Sequence, residues 1–257
     1  MAALPQDLAQ AFGFLTILPI PAAVRAAPSE EGAGRRRPLA RCLHLFPVVG
    51  GVVGAVAAAV WALAHGVGLP PAVAAGLAVA TAVLITGGLH EDGLGDVADG
   101  FGGGRTRDDK LRIMRDSRIG SFGVLALLLV VVLKISALAA LPMAAGAAAL
   151  VAAGALSRAV LPAILRGLPS ARSAGLGADA GRPHRWQVAI AVALALVLTV
   201  LVFAPAAATA AAAGAAVGAG AIAVIARRQI GGQTGDVCGA AQQLSDVAVL
   251  IALVATA

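Results

Sequence analysis

The chain has 257 residues and a formal net charge of +6; 60% of its residues are hydrophobic and 12% are charged. Soluble domains run nearer about 45–50% apolar and about 25% charged, so the surplus has to face something other than water. Nucleic acid is also a poor partner: there is no Tyr, with six Phe and two Trp, which leaves few stacking platforms.

In chain order, Met1–Gln10 carries Asp7 and no basic residue, unlike a signal peptide. Phe12–Pro19 is too short to span and reads as an interfacial or bundle-packed helix ending at Pro19–Pro21. Apolar runs at about 43–64, 72–90, 122–141, 143–165, 186–203, 206–226 and 244–257 read as spanning helices. The 206–226 run is mostly Ala and Gly, which suits close packing inside a bundle. The last run is short, so it either tilts little or begins before Asp246. No internal repeat or long linker divides the chain. The expected fold is therefore all-α: a polytopic membrane bundle of about seven transmembrane helices plus the N-terminal interfacial helix, in a single domain, 1–257.

These spans sort the connecting segments onto two sides. One side collects 1–42, 91–121, 166–185 and 227–243, and holds every Lys and Arg except Lys134 and Arg158, and every Asp and Glu except Asp246. The other side has no charge. The positive-inside rule then expects the charged loops in the cytoplasm, on the inner face of the cell membrane. Cys42 and Cys238 are the only cysteines and lack metal-type spacing; the absence of a disulfide framework agrees with that side.

Seven of the thirteen acidic residues lie between Glu91 and Asp116. Asp92, Asp96 and Asp99 are spaced i, i+4, i+7, which puts three carboxylates on one face if the helix continues through them. They repel one another unless a cation neutralises them, and Mg²⁺, which takes hard oxygen ligands and completes its shell with water and phosphate, is the natural candidate. Gly93 and Gly95 are poor helix formers, so they mark a close approach of another helix or substrate, or a partly unwound segment. Phe101–Gly104 breaks the helix, and Thr106 with Asp109 reads as the capped start of the next.

That helix is basic, with Arg107, Lys110, Arg112, Arg115 and Arg118. Some of these serve topology, but a basic helix beside a carboxylate–metal site also suits a diphosphate, because Arg pairs bidentately with phosphate. Lys134 and Arg158, inside spans, read equally as phosphate contacts or as structural ion-pair partners. Gly231–Ala240, with Gln233, Thr234 and Asp236, is a glycine-rich turn able to cradle a phosphate through backbone N–H groups. His44, His65 and His184 show no ligand partners. His90 adjoins the cluster, where it is able to position a phosphate or shuttle a proton.

Thr86–Gly100 and Ile113–Gly123 resemble the signature blocks of the cobalamin synthase family, the adenosylcobinamide-GDP ribazoletransferases. Phe14–Pro19, Ser157-Arg158 and Gly231–Asp236 resemble further family blocks in the same order. Asp246 stands where the family pattern has glutamate, and the 171–183 loop matches loosely, through Gly175-Leu176-Gly177. The resemblance implies a Mg²⁺-dependent phosphotransferase that joins α-ribazole, or its 5′-phosphate, to adenosylcobinamide-GDP and releases GMP. Asp92, Asp96 and Asp99 would hold the metal, with Asp116 or His90 assisting. Phosphate contacts would come from Arg115, Ser117, Arg118, Lys134 and Arg158, with Gln233, Thr234 and Asp236 also at the substrate.

Two rivals share some of these features. A CDP-alcohol phosphotransferase needs Asp-Gly-x-x-Ala-Arg, whereas Asp92-Gly93 is followed by Leu94-Gly95-Asp96-Val97. A cation transporter would more often carry acidic groups near the bilayer midplane. A homo-oligomer is compatible with the sequence, which does not specify one.

Overall fold

The computed structural model describes residues 3–20, 39–173, 175 and 180–257. Pro21, the four arginines between 21 and 38, and Leu176-Gly177 lie outside these residues. Among the described residues the chain forms ten α-helices and no strand: α1 (Ala3–Leu15), α2 (Phe46–Gly66), α3 (Pro71–Thr86), α4 (Leu89–Gly103), α5 (Arg107–Ile113), α6 (Ser121–Ala139), α7 (Met143–Gly167), α8 (Arg185–Val200), α9 (Pro205–Ile230) and α10 (Gly235–Val254). The expected all-α membrane bundle is what forms.

Five segments are long and apolar enough to cross a membrane: Leu43–Gly66, Ser121–Ala139, Met143–Gly167, Pro205–Ile230 and Gly235–Val254. The pair α3 and α4 adds a sixth only if counted as one broken span, because the two are bent by 92°. The expectation of about seven falls short at two places. The run at 72–90 ends as a helix at Thr86, where Gly87 (φ +63°) and Gly88 (φ +69°) take consecutive left-handed conformations. Glycine reaches that region without a Cβ penalty, so the chain turns before the carboxylates begin. The run at 186–203 gives only 16 residues of helix, about 24 Å at 1.5 Å per residue, shorter than a hydrocarbon core of roughly 30 Å.

The last span is also re-registered. α9 continues through Arg227 and Arg228 to Ile230, and α10 starts at Gly235 rather than near 244. Thr234 is the reason: its Oγ1 accepts the Val237 N–H at 3.2 Å and caps α10. The polar residues Gln242, Gln243 and Asp246 therefore sit within a helix.

α7 and α10 form the interior, 78% and 61% buried over their apolar windows, whereas α6 and α9 are 28% buried and present their apolar faces outward. Small residues permit this density. A Cβ on Gly50 would lie 2.0 Å from the Gly154 carbonyl oxygen, and one on Gly54 2.2 Å from that of Leu150, so α2 and α7 cross backbone against backbone. Gly214 and Gly218 of α9 do the same against Ala248 and Leu244 of α10. Both are small-xxx-small pairs, the arrangement by which van der Waals packing holds helices together where lipid offers no hydrophobic drive.

Candidate active site

Four carboxylates leave α4 in different directions. Glu91 accepts a hydrogen bond from Gln243 Nε2 at 2.8 Å, facing the bundle interior. Asp99 is buried, and its two oxygens accept the backbone N–H groups of Gly120 (2.7 Å) and Gly123 (2.8 Å) at the start of α6. Helix N-termini leave such amides without intrahelical partners and favour a negative charge. Asp99, grouped by spacing with Asp92 and Asp96, is thus placed on the α6 N-terminus, and a Cβ on Gly120 or Gly123 would collide with its carboxylate.

Asp92 and Asp96 differ from both: Asp92 is exposed, Asp96 is half-buried, and among the described residues neither carboxylate makes a hydrogen bond or ion pair. Gly93 places a third acid beside them. A Cβ there would lie 2.9 Å from the Asp236 carbonyl oxygen and 3.2 Å from Gly239 Cα, so α4 and the start of α10 touch through their backbones. Gly93 serves the close helix approach that the sequence suggested; Gly95 has ordinary contacts only. Asp96 is surrounded by the like charges of Asp92, Asp236 and Asp99, with Arg172 as the opposing cation.

Arg172 was not singled out from the sequence, because it lies in the loop whose family likeness is loosest. Its Nη1 donates to Asp236 Oδ2 at 3.1 Å and its Nη2 to the Leu111 carbonyl at 3.2 Å. Thr234 Oγ1 also donates to Asp236 Oδ2, at 3.2 Å. The glycine-rich turn, read as able to cradle a phosphate, is itself docked through Gln233, whose N–H donates to Pro169 O and whose O accepts from Ala171 N–H, both at 2.8 Å. A Cβ on Gly232 would lie 2.1 Å from Pro169 O. Arg107 closes the same junction, donating to Ile230 O at 3.0 Å and Ala171 O at 2.7 Å.

The other expected residues divide into three sets. Arg115 lines an open groove with Arg107, Arg112 and Arg172. Asp116, Ser117 and Arg118 are exposed on the following turn, where Arg118 pairs with Asp116 at 2.8 Å. The Arg118 guanidinium and backbone N–H beside it hold the Asp116 carboxyl down at about 2. Lys134 and Arg158 are buried in the bundle. Lys134 Nζ pairs with Asp246 at 2.8 Å and donates to Gln243 Oε1 at 2.8 Å; Arg158 Nη1 donates to Gly154 O at 3.2 Å. Of the two readings open for Lys134, the structural ion pair is the one formed. Gln242, Gln243 and Ser157 complete this network, with Gln242 Nε2 donating to Ser157 Oγ at 2.8 Å.

Among the described residues no three His, Cys, Asp or Glu side chains are gathered closely enough to cage a metal ion by themselves. The donor set fits Mg²⁺ in a different way. That ion keeps several waters and binds through one or two carboxylates plus substrate phosphate, and Asp92 and Asp96 are two hard oxygen donors one helical turn apart with no other partner.

Comparison with known proteins gives one answer. Residues 7–254 match the cobalamin-5-phosphate synthase family. The chain belongs to that family. Its relatives include an adenosylcobinamide-GDP ribazoletransferase of Bradyrhizobium diazoefficiens, 44% identical over 95% of this chain and 92% of the relative. Proteins of the same name from Mesorhizobium japonicum and Brucella ovis are 44% and 39% identical, over 95% and 96% of this chain and 91% and 96% of theirs. No solved structure matches. The likeness runs nearly end to end, and Asp92 and Asp96 lie within the matched residues.

Proposed function

We propose that this protein joins α-ribazole, or its 5′-phosphate, to adenosylcobinamide-GDP and releases GMP, with Mg²⁺ held by Asp92 and Asp96 at the inner, cytoplasmic face of the cell membrane. The observation that carries the reading is a pair of α4 carboxylates, unpartnered among the described residues, with Asp92 lining a cavity, in a chain of this family. Mg²⁺ supplies neutralisation of the diphosphate charge. Phosphoryl transfer asks the protein mainly for positioning and charge stabilisation. Here Arg172, fixed by Asp236 and Leu111 O, sets a cation beside the carboxylates. A ribose hydroxyl forms its O–P bond to the phosphorus nearer the corrinoid. The bond from that phosphorus to the bridging oxygen breaks, GMP leaves with that oxygen, and the hydroxyl proton passes to water at the exposed edge of the site. Every lysine and arginine other than Lys134 and Arg158 lies in one set of loops, which supports the cytoplasmic assignment.

The test is GMP release by detergent-purified protein given both substrates and Mg²⁺. Release that needs all three, and that falls on the order of 10²-fold or more in Asp92→Asn and Asp96→Asn, is the expected result. Folded wild-type protein that releases no GMP would remove the assignment.

A further inference from the structure

Two spaces meet at the Asp236–Arg172 pair, and they differ in chemistry. The first, a cavity of about 100 Å³, has apolar walls that include Phe14, Leu39, Leu43, Phe46, Leu161 and Leu165. Its polar groups, His90, Asp92 and Asp236, are gathered where α4 meets the start of α10. His90 is buried, and among the described residues its Nε2 has no hydrogen-bond partner. The second is an open groove of about 530 Å³ on the other side of the ion pair, lined by Arg107, Arg112, Arg115 and Arg172. Asp108, a carboxylate on its wall, pairs with Arg107 at 3.5 Å.

We infer that the apolar cavity seats the base of the acceptor nucleoside, while the guanylyl leaving group lies in the arginine groove. The inference deepens the function proposed above and rests on it. In-line displacement needs the attacking and leaving oxygens on opposite sides of the phosphorus. Asp92 and Asp236 line the cavity where α4 meets the start of α10, and Arg172 carries the boundary through to the groove. The reverse assignment fails on solvation. A guanine brings several N–H and C=O groups, and apolar walls would leave them desolvated and unpaired. A benzimidazole has two fused apolar rings and one free ring nitrogen, so it loses little there, and His90 lies at the junction where that polar edge or the ribose has to be met. The phosphates of the GDP moiety, conversely, match the guanidinium groups of the groove. With the base held against Phe14 and Leu39, the ribose projects towards Asp92 and Asp236, where a hydroxyl has to be presented.

The experiment uses full-length wild-type protein, with free benzimidazole and GMP as probes. Benzimidazole is expected to compete with α-ribazole and not with adenosylcobinamide-GDP; GMP is expected to do the opposite. Leu39→Trp, which fills the cavity from its half-buried edge, is expected to raise KM for α-ribazole about 10-fold, as loss of one aromatic-scale contact surface would. KM for adenosylcobinamide-GDP should stay unchanged. Benzimidazole competing with adenosylcobinamide-GDP, or failing to compete with α-ribazole, overturns the assignment, and so does a Leu39→Trp variant with an unaltered KM for α-ribazole. If that variant does not fold, Arg115→Gln in the exposed groove decides: KM for adenosylcobinamide-GDP should rise with KM for α-ribazole unchanged, and the opposite pattern overturns the assignment. Wild-type protein without transferase activity fails the functional reading instead, and the two failures are told apart by GMP release alone.

Discussion

α4 carries two kinds of acidic residue within three turns. Asp99 is matched at both oxygens by two amides of α6, and Glu91 at one oxygen by Gln243, its Oε2 buried without a hydrogen-bond partner among the described residues. Asp92 and Asp96 are left unmatched among the described residues. The same contrast separates the two basic regions. Lys134 is locked to Asp246 within the bundle, while Arg115 faces an open groove. A charge matched within the protein holds helices in register; an unmatched one beside a cavity costs stability unless a ligand arrives to neutralise it.

The sharpest way to break this contrast is to unpair the buried ions. Removing one member of a buried pair leaves the other uncompensated, at a cost of about 3–5 kcal/mol. Lys134→Met and Asp246→Ala are each expected to lower the melting temperature substantially in detergent. Lys134→Met combined with Asp246→Leu should recover much of the loss, because an apolar pair needs no compensation. Equal damage in single and double variants would contradict the pairing.

Asp92→Asn and Asp96→Asn should behave in the opposite way. Activity falls on the order of 10²-fold, about 2.7 kcal/mol in the barrier, while the melting temperature holds or rises as like-charge repulsion is relieved. Thermal melts beside the GMP assay check both halves at once. Asp99→Ala comes next. It removes the acceptor for two α6 amides, so about 1–2 kcal/mol of stability goes with it, the range for a lost helix cap. Loss of activity in that variant should track loss of fold, and mild destabilisation with complete inactivation would return Asp99 to the chemistry.

The smallest effect concerns Asp116. Its folded value of about 2 lies below the ordinary carboxylate range, so the Asp116–Arg118 contribution is complete above about pH 4 and is lost as the pH falls towards 2. Any limb of the activity profile between about pH 5 and 9 should therefore survive in Asp116→Asn. Titration of the Asp116 carboxyl by ¹³C NMR checks the assignment directly.

Much of this was legible in the chain. The apolar runs announced a membrane bundle because periods of about 20 residues have few other uses, and the capping box at Thr106 and Asp109 forms as read. The bend at Gly87-Gly88 was harder to see, since consecutive glycines are compatible with a helix end or a helix interior until packing decides. α10 was hidden by its own polar residues. Gln242, Gln243 and Asp246 depress hydropathy at the place where they build the interior network. At the site, Asp92 and Asp96 could be singled out by spacing, but spacing alone could not separate them from Asp99. The difference lies in the Gly120 and Gly123 amides, brought 21 and 24 residues back along the chain by the fold. Arg172 gave no local signal; only its partner across the chain, Asp236, reveals it.

The most direct measurement of whether the unmatched carboxylates exist to receive a cation is Mn²⁺ binding, followed by electron paramagnetic resonance on purified protein without substrate. Wild-type protein and Asp99→Asn are expected to bind the ion, and the Asp92→Asn/Asp96→Asn double variant to lose it. Undiminished binding in the double variant, or loss confined to Asp99→Asn, would contradict the division of labour along α4.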